Sequence, residues 1–281
     1  MPLDFRYHLA SLTAVFVALI IGILLGVAMT GAPGLSSQIE TLREEFTRSQ
    51  VLKDIEDRTD QFNRRTLPML VRNRMFGRNV ILVQNVLTFP DEKKAAVRDA
   101  LEQAGAAVTA EVMLKPALLQ ITPEQIERLY MRSNVPAQNR KATMDGLMRA
   151  LAGDLGNGLN GITPAMEKEK LLVVRGDISL PISTVVLLGG GIEPARNIAK
   201  TLDMPLLEAC SQRRLRVAAT EAFDTPQSVI PLYRKAVPIT VDNVDYAAGR
   251  IALILTLSAP DLRGHYGYKA TADDVMPDIE L

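Results

Sequence analysis

The chain has 281 residues, with 32 Lys plus Arg against 32 Asp plus Glu, so its formal charge is zero. That balance excludes an ordinary nucleic-acid binder, which needs an excess of phosphate-neutralising cations. One cysteine, two histidines and no tryptophan leave almost nothing for a disulfide framework, a CxxC zinc site or a His-based triad, so the composition does not suggest an enzyme.

The first predicted element runs from Leu9 to Met29, an apolar stretch without a charge. As a helix rising about 1.5 Å per residue it spans about 31 Å, close to the hydrocarbon core of a bilayer. The rival, a cleavable signal peptide, has a shorter apolar region and a small-residue cleavage site; here Pro33 follows Thr30-Gly31-Ala32. The uncleaved anchor is the preferred reading, with residues 1–31 as tail and transmembrane segment. The flanking charges discriminate weakly and lean toward a cytoplasmic N-terminus, which puts the remainder on the outer side of the cell membrane. Ala10, Ala14, Ala18, Gly22 and Gly26 recur every four residues. They form a small-residue stripe where a second helix backbone could approach, unless they reflect only the abundance of Ala and Gly in membrane helices. One span cannot wall a channel, so transport by this chain would need an oligomer or a partner.

Residues 35–75 carry apolar or small side chains at a 4-3 spacing. The series is Leu35, Ile39, Leu42, Phe46 and Ser49, then after a slip Leu52, Ile55, Thr59, Phe62, Thr66 and Met69. This predicts a coiled-coil stalk and a homo-oligomer; the alternative is one amphipathic helix lying on its own domain.

From Gly77 the pattern alternates between short apolar runs and amphipathic ones. Strands are predicted at Val80–Val83, Val108–Leu114, Leu171–Val174, Thr184–Leu188, Arg216–Ala218 and Ile239–Val241. Helices are predicted from Pro90 to about Ala104, Thr122 to Arg132, Arg140 to Ala152, Glu193 to Leu202 and Val244 to Leu257. The glycines at 153, 156, 158 and 161 predict a mobile loop. Continuous apolar strands imply cover on both faces. Residues 77–262 are therefore read as a Rossmann-like three-layer α/β domain with a mostly parallel sheet, and residues 263–281 as a C-terminal tail.

Three features could carry chemistry. Gly189-Gly190-Gly191 sits where a phosphate loop would, but lacks the GxGxxG spacing and is followed by Glu193, so a tight turn is preferred to a nucleotide site. Asp242 and Asp245 could offer carboxylates to a hard cation, or cap the last helix, the preferred reading. Met144 and Met148 lie one helical turn apart, and Cys210 and His265 are the other soft-ligand candidates for copper as Cu(I). Each methionine is also an ordinary core filler.

The N-terminal Phe5-Arg6-Tyr7-His8-Leu9-Ala10-Ser11-Leu12, continuing into Gly22-Ile23-Leu24-Leu25-Gly26, resembles the start of the mycobacterial-type copper transport protein B (MctB) family. So do Val241-Asp242-Asn243-Val244-Asp245, Gly249-Arg250-Ile251-Ala252-Leu253 and Gly264-His265-Tyr266-Gly267 near the other end. The order of parts matches along essentially the whole chain. The resemblance implies a cell-envelope protein of copper export or tolerance, described in some members as pore-forming, with no residue-level copper site to carry over. The alternative function, from another class, is a non-transporting envelope scaffold organised by the coiled coil.

Overall fold

A computed structural model describes residues 14–23, 25–26, 33–87, 89–176, 182–191 and 195–278. The chain divides into two compact units, Met1–Thr59 and Asp60–Leu281.

In the first unit, residues 14–23 and 25–26 are helical and exposed. Among the described residues no helix is long and apolar enough to cross a membrane; Ala10 and the ends of the Leu9–Met29 segment lie outside them. Helix α1, Pro33–Val71, begins in this unit and ends in the second. Its heptad side chains Leu42, Phe46, Leu52 and Ile55 are each more than half exposed.

The second unit is a seven-stranded sheet of order β3-β2-β1-β4-β5-β6-β7. The strands are β1 Asn79–Gln84, β2 Ala107–Leu114, β3 Leu172–Gly176, β4 Thr184–Leu188, β5 Arg216–Thr220, β6 Ile239–Val241 and β7 Gly264–Tyr266. All neighbours pair in parallel except β2 with β3. The α/β class with a mostly parallel sheet is thus as the sequence predicts. Strand β7 falls within the segment read as a tail, and the edge strand β3 is exposed toward its end rather than covered on both faces.

Side chains alternate between two cores, as the two-residue period of a strand requires. Ile81, Val83, Val185, Leu187, Val217 and Ala219 enter one core. It is covered by α3 Pro123–Met131, α4 Met144–Asn157, α5 Thr163–Lys168, α6 Ala195–Ile198, α7 Met204–Gln212 and α8 Ile230–Tyr233. Val80, Leu82, Val186, Leu188 and Ala218 enter the other, with α2 Asp91–Gln103, α9 Ala247–Ser258, the end of α1 through Leu67 and Val71, and Met75 in the turn after it. Each face is therefore closed by helices.

Helix starts follow their local chemistry. Thr122 caps α3 in a reciprocal capping box with Gln125, with Pro123 in the first turn. Pro90, whose ring cannot donate, stands at the start of α2 before Asp91 and Glu92, whose charges suit that helix's positive end. Two expectations fail. Gly153 and Gly156 lie inside α4, and only Gly158, at φ 88°, ends it in the left-handed conformation that glycine permits. Gly153 and Gly156 are both helical, with Arg213 and Leu215 at ordinary contact distance from where a Cβ would stand, so no mobile loop begins at Gly153. The last helix starts at Ala247 with no side-chain cap from its own segment. The Ala247 amide instead donates to Asp60 Oδ1 of α1, at 2.9 Å, while Arg64 donates to Asp60 Oδ2. A residue far upstream thus caps α9 and fixes the end of α1 on the sheet.

Replacing Asp60 with Ala should therefore lower the stability of this unit by about 1 kcal/mol, the usual worth of a helix N-cap. Arg64→Ala should cost only a few tenths, because the Arg64 side chain is largely exposed. Urea unfolding followed by circular dichroism of the two variants distinguishes them.

Candidate functional site

Strand β1 is followed by β2 on one side and β4 by β5 on the other, so the loops leaving the β1–β4 pair diverge. At such a switch point the carboxyl ends of the strands frame a crevice, the usual ligand position in an open α/β sheet. Here the crevice is filled by the protein's own side chains.

Tyr233, fully buried on α8, donates its hydroxyl to Asp203 Oδ2 at 2.6 Å, and Asn85, just beyond β1, donates to the same oxygen at 3.3 Å. The Gly190 amide is directed at the Tyr233 hydroxyl. A side chain at 189 would place its Cβ 2.2 Å from that hydroxyl, and one at 191 would meet Leu87 at 2.5 Å. The triple glycine is therefore a turn cut to fit Tyr233, and its position opposite a phosphate is already taken.

Asp203 reaches the core because of a break in helical register. Between α6 and α7 lies a π-helical stretch, Ala199–Asp203, just before Pro205. Proline has no amide to give and its ring clashes with the carbonyl four residues back. The wider π turn relieves both and turns Asp203 inward. Burial pushes the Asp203 carboxyl up to about 6, opposed by its bonds from Tyr233 and Asn85. The Tyr233 phenol is held well above its usual value by burial first and by Asp203 second. Among the described residues Asp203 Oδ1 has no hydrogen-bond partner. Asp203 is thus a buried acid with one unpartnered oxygen, its carboxyl held above the usual carboxylate range.

Further along the same edge, Glu221, also fully buried, accepts from Ser228 Oγ at 2.6 Å and the Val229 amide at 2.9 Å, and pairs with Lys269. Outside it, Phe223, Tyr246 and Tyr268 meet edge to face with centroids 5.6 to 6.0 Å apart. Lys93 bridges Asp224 and Asp245 beside them, at 2.5 and 3.1 Å.

The two carboxylates considered for a cation or a cap do not cap the last helix, and both are engaged by other groups of the chain. Asp242 accepts the amides of Tyr268 and Lys269, while Asp245 accepts the Phe223 amide and pairs with Lys93. Burial raises the Asp242 carboxyl above its usual range. The C-terminal blocks interlock: a Cβ at 249 would meet the Asn243 carbonyl at 2.2 Å, and one at 267 would meet Asp242 Oδ1 at 1.9 Å. Arg250 donates to the carbonyls of Val244 and Asp245.

The soft-ligand candidates are not brought together as one site. Met148 and Cys210 are buried in the same core, on α4 and α7, with Met144 packed against its margin. Burial pushes the Cys210 thiol up to about 12, far from the thiolate a metal requires. His265 is on the edge strand β7, half-buried, with Nδ1 3.0 Å from Thr240 Oγ1; burial lowers its pKa. Among the described residues no three His, Cys, Asp or Glu side chains are grouped to hold a metal ion. Gly22 and Gly26 of the small-residue stripe have open space where a Cβ would stand.

The sequence reading missed Asp203, Tyr233, Asn85, Glu221 and Lys269. The available signals were an acid and a proline inside one apolar helical run, Leu202-Asp203-Met204-Pro205, and an acid closing the apolar strand before Ala222.

Residues 3–277 match the family described as Copper transport outer membrane protein, MctB. The chain is 27% identical to proteins named Copper transporter MctB from Mycobacterium bovis and Mycobacterium tuberculosis, in alignments covering 98% of this chain and 98% of each relative. The chain therefore belongs to the MctB family.

The raised Asp203 pKa has a thermodynamic consequence. The unfolded chain releases this proton near 3.8 and the folded one near 6. Stability from this group is therefore complete below about 3.8 and falls as pH rises through about 6. Two units correspond to a loss of order 3 kcal/mol. Asp203→Asn should remove that loss, so the variant should melt higher than the parent at pH about 8 and close to it at pH about 4. Thermal melts across this range check the crossing.

Proposed function

We propose that this chain works in copper transport at the cell envelope as a self-associating protein. In this reading the Leu9–Met29 segment anchors it once in the cell membrane, with the N-terminus in the cytoplasm and the α/β unit on the outer side. The observation that carries the reading is the extent of the family match, residues 3–277. One relationship takes in the apolar N-terminal segment, α1 and the whole sheet, so the parts are read as one device. The mycobacterial relatives, aligned over nearly their whole length, carry the name Copper transporter, and copper is accordingly read as the cargo.

Self-association is supported by the apolar side chains of α1 that the single chain leaves in water, with Leu42, Phe46 and Phe62 each about two-thirds exposed. Burying such side chains against a second copy at heptad spacing returns about 25 cal/mol for each Å² removed from water. The open backbone at Gly22 and Gly26 suits a close helix crossing. The soft donors of one chain are dispersed between a core and a sheet edge, so the reading assigns copper handling to the assembled protein and not to a site within one subunit.

Deleting the gene in its own host should lower growth in copper and raise cell-associated copper, and the wild-type gene should restore both. Replacing Gly22 and Gly26 with Ile should weaken self-association in a membrane two-hybrid assay and restore tolerance poorly. Unchanged copper content after deletion would overturn the transport reading. Full self-association by the double variant would remove the anchor stripe from it.

A further inference from the structure

The opposite edge of the sheet carries a second feature, outside the reading given above. A cavity of about 740 Å³ opens among the N-terminal ends of β4, β5 and β6 and the segments after α7 and α9, and Arg78, Arg213, Arg214, Arg216 and Arg263 all line it. No lining residue is acidic, and among the described residues none of the five makes an ion pair. In a chain of zero formal charge, this gathers unneutralised cations on one concave wall.

Part of the arrangement serves the fold. Helices that follow parallel strands end at this edge with carbonyls lacking helical partners. Arg216 donates to the carbonyls of Thr256, Ala259, Pro260 and Leu262, Arg78 to Ser258, and Arg213 to Ala209. Those three guanidiniums are held in place by that work. Arg214 and Arg263 do none of it: both are exposed, and among the described residues neither guanidinium makes a hydrogen bond, only their backbones doing so, with Ser211 and Tyr266. Burial lowers the Arg216 pKa, and the charges of Arg263 and Arg78 lower it further; exposed Asp261, outside the lining, opposes them. The like charges are thus close enough to repel. A concave wall of fixed cations with two unused forks favours an oxyanion that can accept several N–H bonds at once, and the volume suits a small molecule.

We propose that this cavity binds an oxyanion of the phosphate class, with Arg214 and Arg263 as the grasping residues and Arg78, Arg213 and Arg216 as the fixed field. The shared chemistry is a phosphoryl group, whether free in solution or on a lipid headgroup.

The test titrates the detergent-extracted full-length protein calorimetrically with inorganic pyrophosphate, and separately with a soluble short-chain phosphatidylglycerol. Arg214→Gln and Arg263→Gln should each weaken binding of the recognised anion roughly tenfold, as expected for one charge-assisted contact, and Arg263→Lys should retain most of it. Binding should also fall at about 1 M salt, where the screening length is about 3 Å. The two positions are exposed, so unchanged melting temperatures separate lost binding from lost folding. Arginine-dependent binding in the pyrophosphate arm supports a free anion, and in the lipid arm a headgroup. Affinity unchanged in the double Gln variant, or no arginine-dependent binding in either arm, overturns the proposal.

Discussion

A sheet buried on both faces leaves polar chemistry only its two ends. The cores on either side of β1 and β4 consist almost entirely of Val, Leu, Ile and Ala, and an uncompensated polar atom there would cost several kcal/mol. Acids, amides and cations are therefore displaced to where the strands stop. The direction of the helices then sorts them. Parallel strands joined by helices direct helix carbonyl ends to the amino edge, which attracts guanidinium groups. At that edge Arg78, Arg213 and Arg216 bind helix carbonyls; at the carboxyl edge lie Asn85, Asp203, Glu221 and Asp242. One architectural constraint thus places buried acids at one edge of the sheet and carbonyl-binding arginines at the other.

The regular part of this plan was legible in the residues. Strands β1 and β4 stand where continuous apolar runs put them, because only a doubly covered strand tolerates Val-Val-Leu-Leu without alternation, and β2 and β6 stand where weaker runs did. The irregular part was not, for three separate physical reasons. Glycine at 153 and 156 reads locally as a helix breaker, yet its cost of about 1 kcal/mol each is outweighed in α4 by the burial of Leu147, Met148, Leu151 and Leu155 on the same helix. The π-helical insertion before Pro205 has no periodic signature, since it shifts the register by one residue only. The cap on α9 comes from Asp60, 187 positions upstream, and no local pattern encodes a long-range partner.

The same contrast explains why the candidate chemistry moved. Cys210 and Met148 attracted attention as soft donors, but a thiol and a thioether are also good apolar fillers, and the fold uses them in that capacity. Asp203 attracted none, because an isolated acid in a helix reads as a solvated face. Its significance depends on Tyr233 and Asn85, which come from α8 and from the end of β1 and meet it only after the crossovers are made. Buried ionisable groups of this kind become visible only in three dimensions.

The blocks that carry the family resemblance can be understood in these terms. Asn243 and Gly249 are mutually exclusive with any larger pair, as are Asp242 and Gly267. Arg250 ties the loop after β6 to the first turn of α9, and the backbone amides of Tyr268 and Lys269 satisfy Asp242. Together they bind three successive parts of the chain, the loop after β6, α9 and the loop after β7, into one closed corner. A side chain at 249 would collide with the Asn243 backbone carbonyl, and one at 267 with the Asp242 carboxylate, so larger residues at either glycine would open this corner. In this chain the likeness in these blocks is carried by contacts that build the C-terminal corner, while the polar centres at Asp203 and Glu221 lie beside it on the same edge.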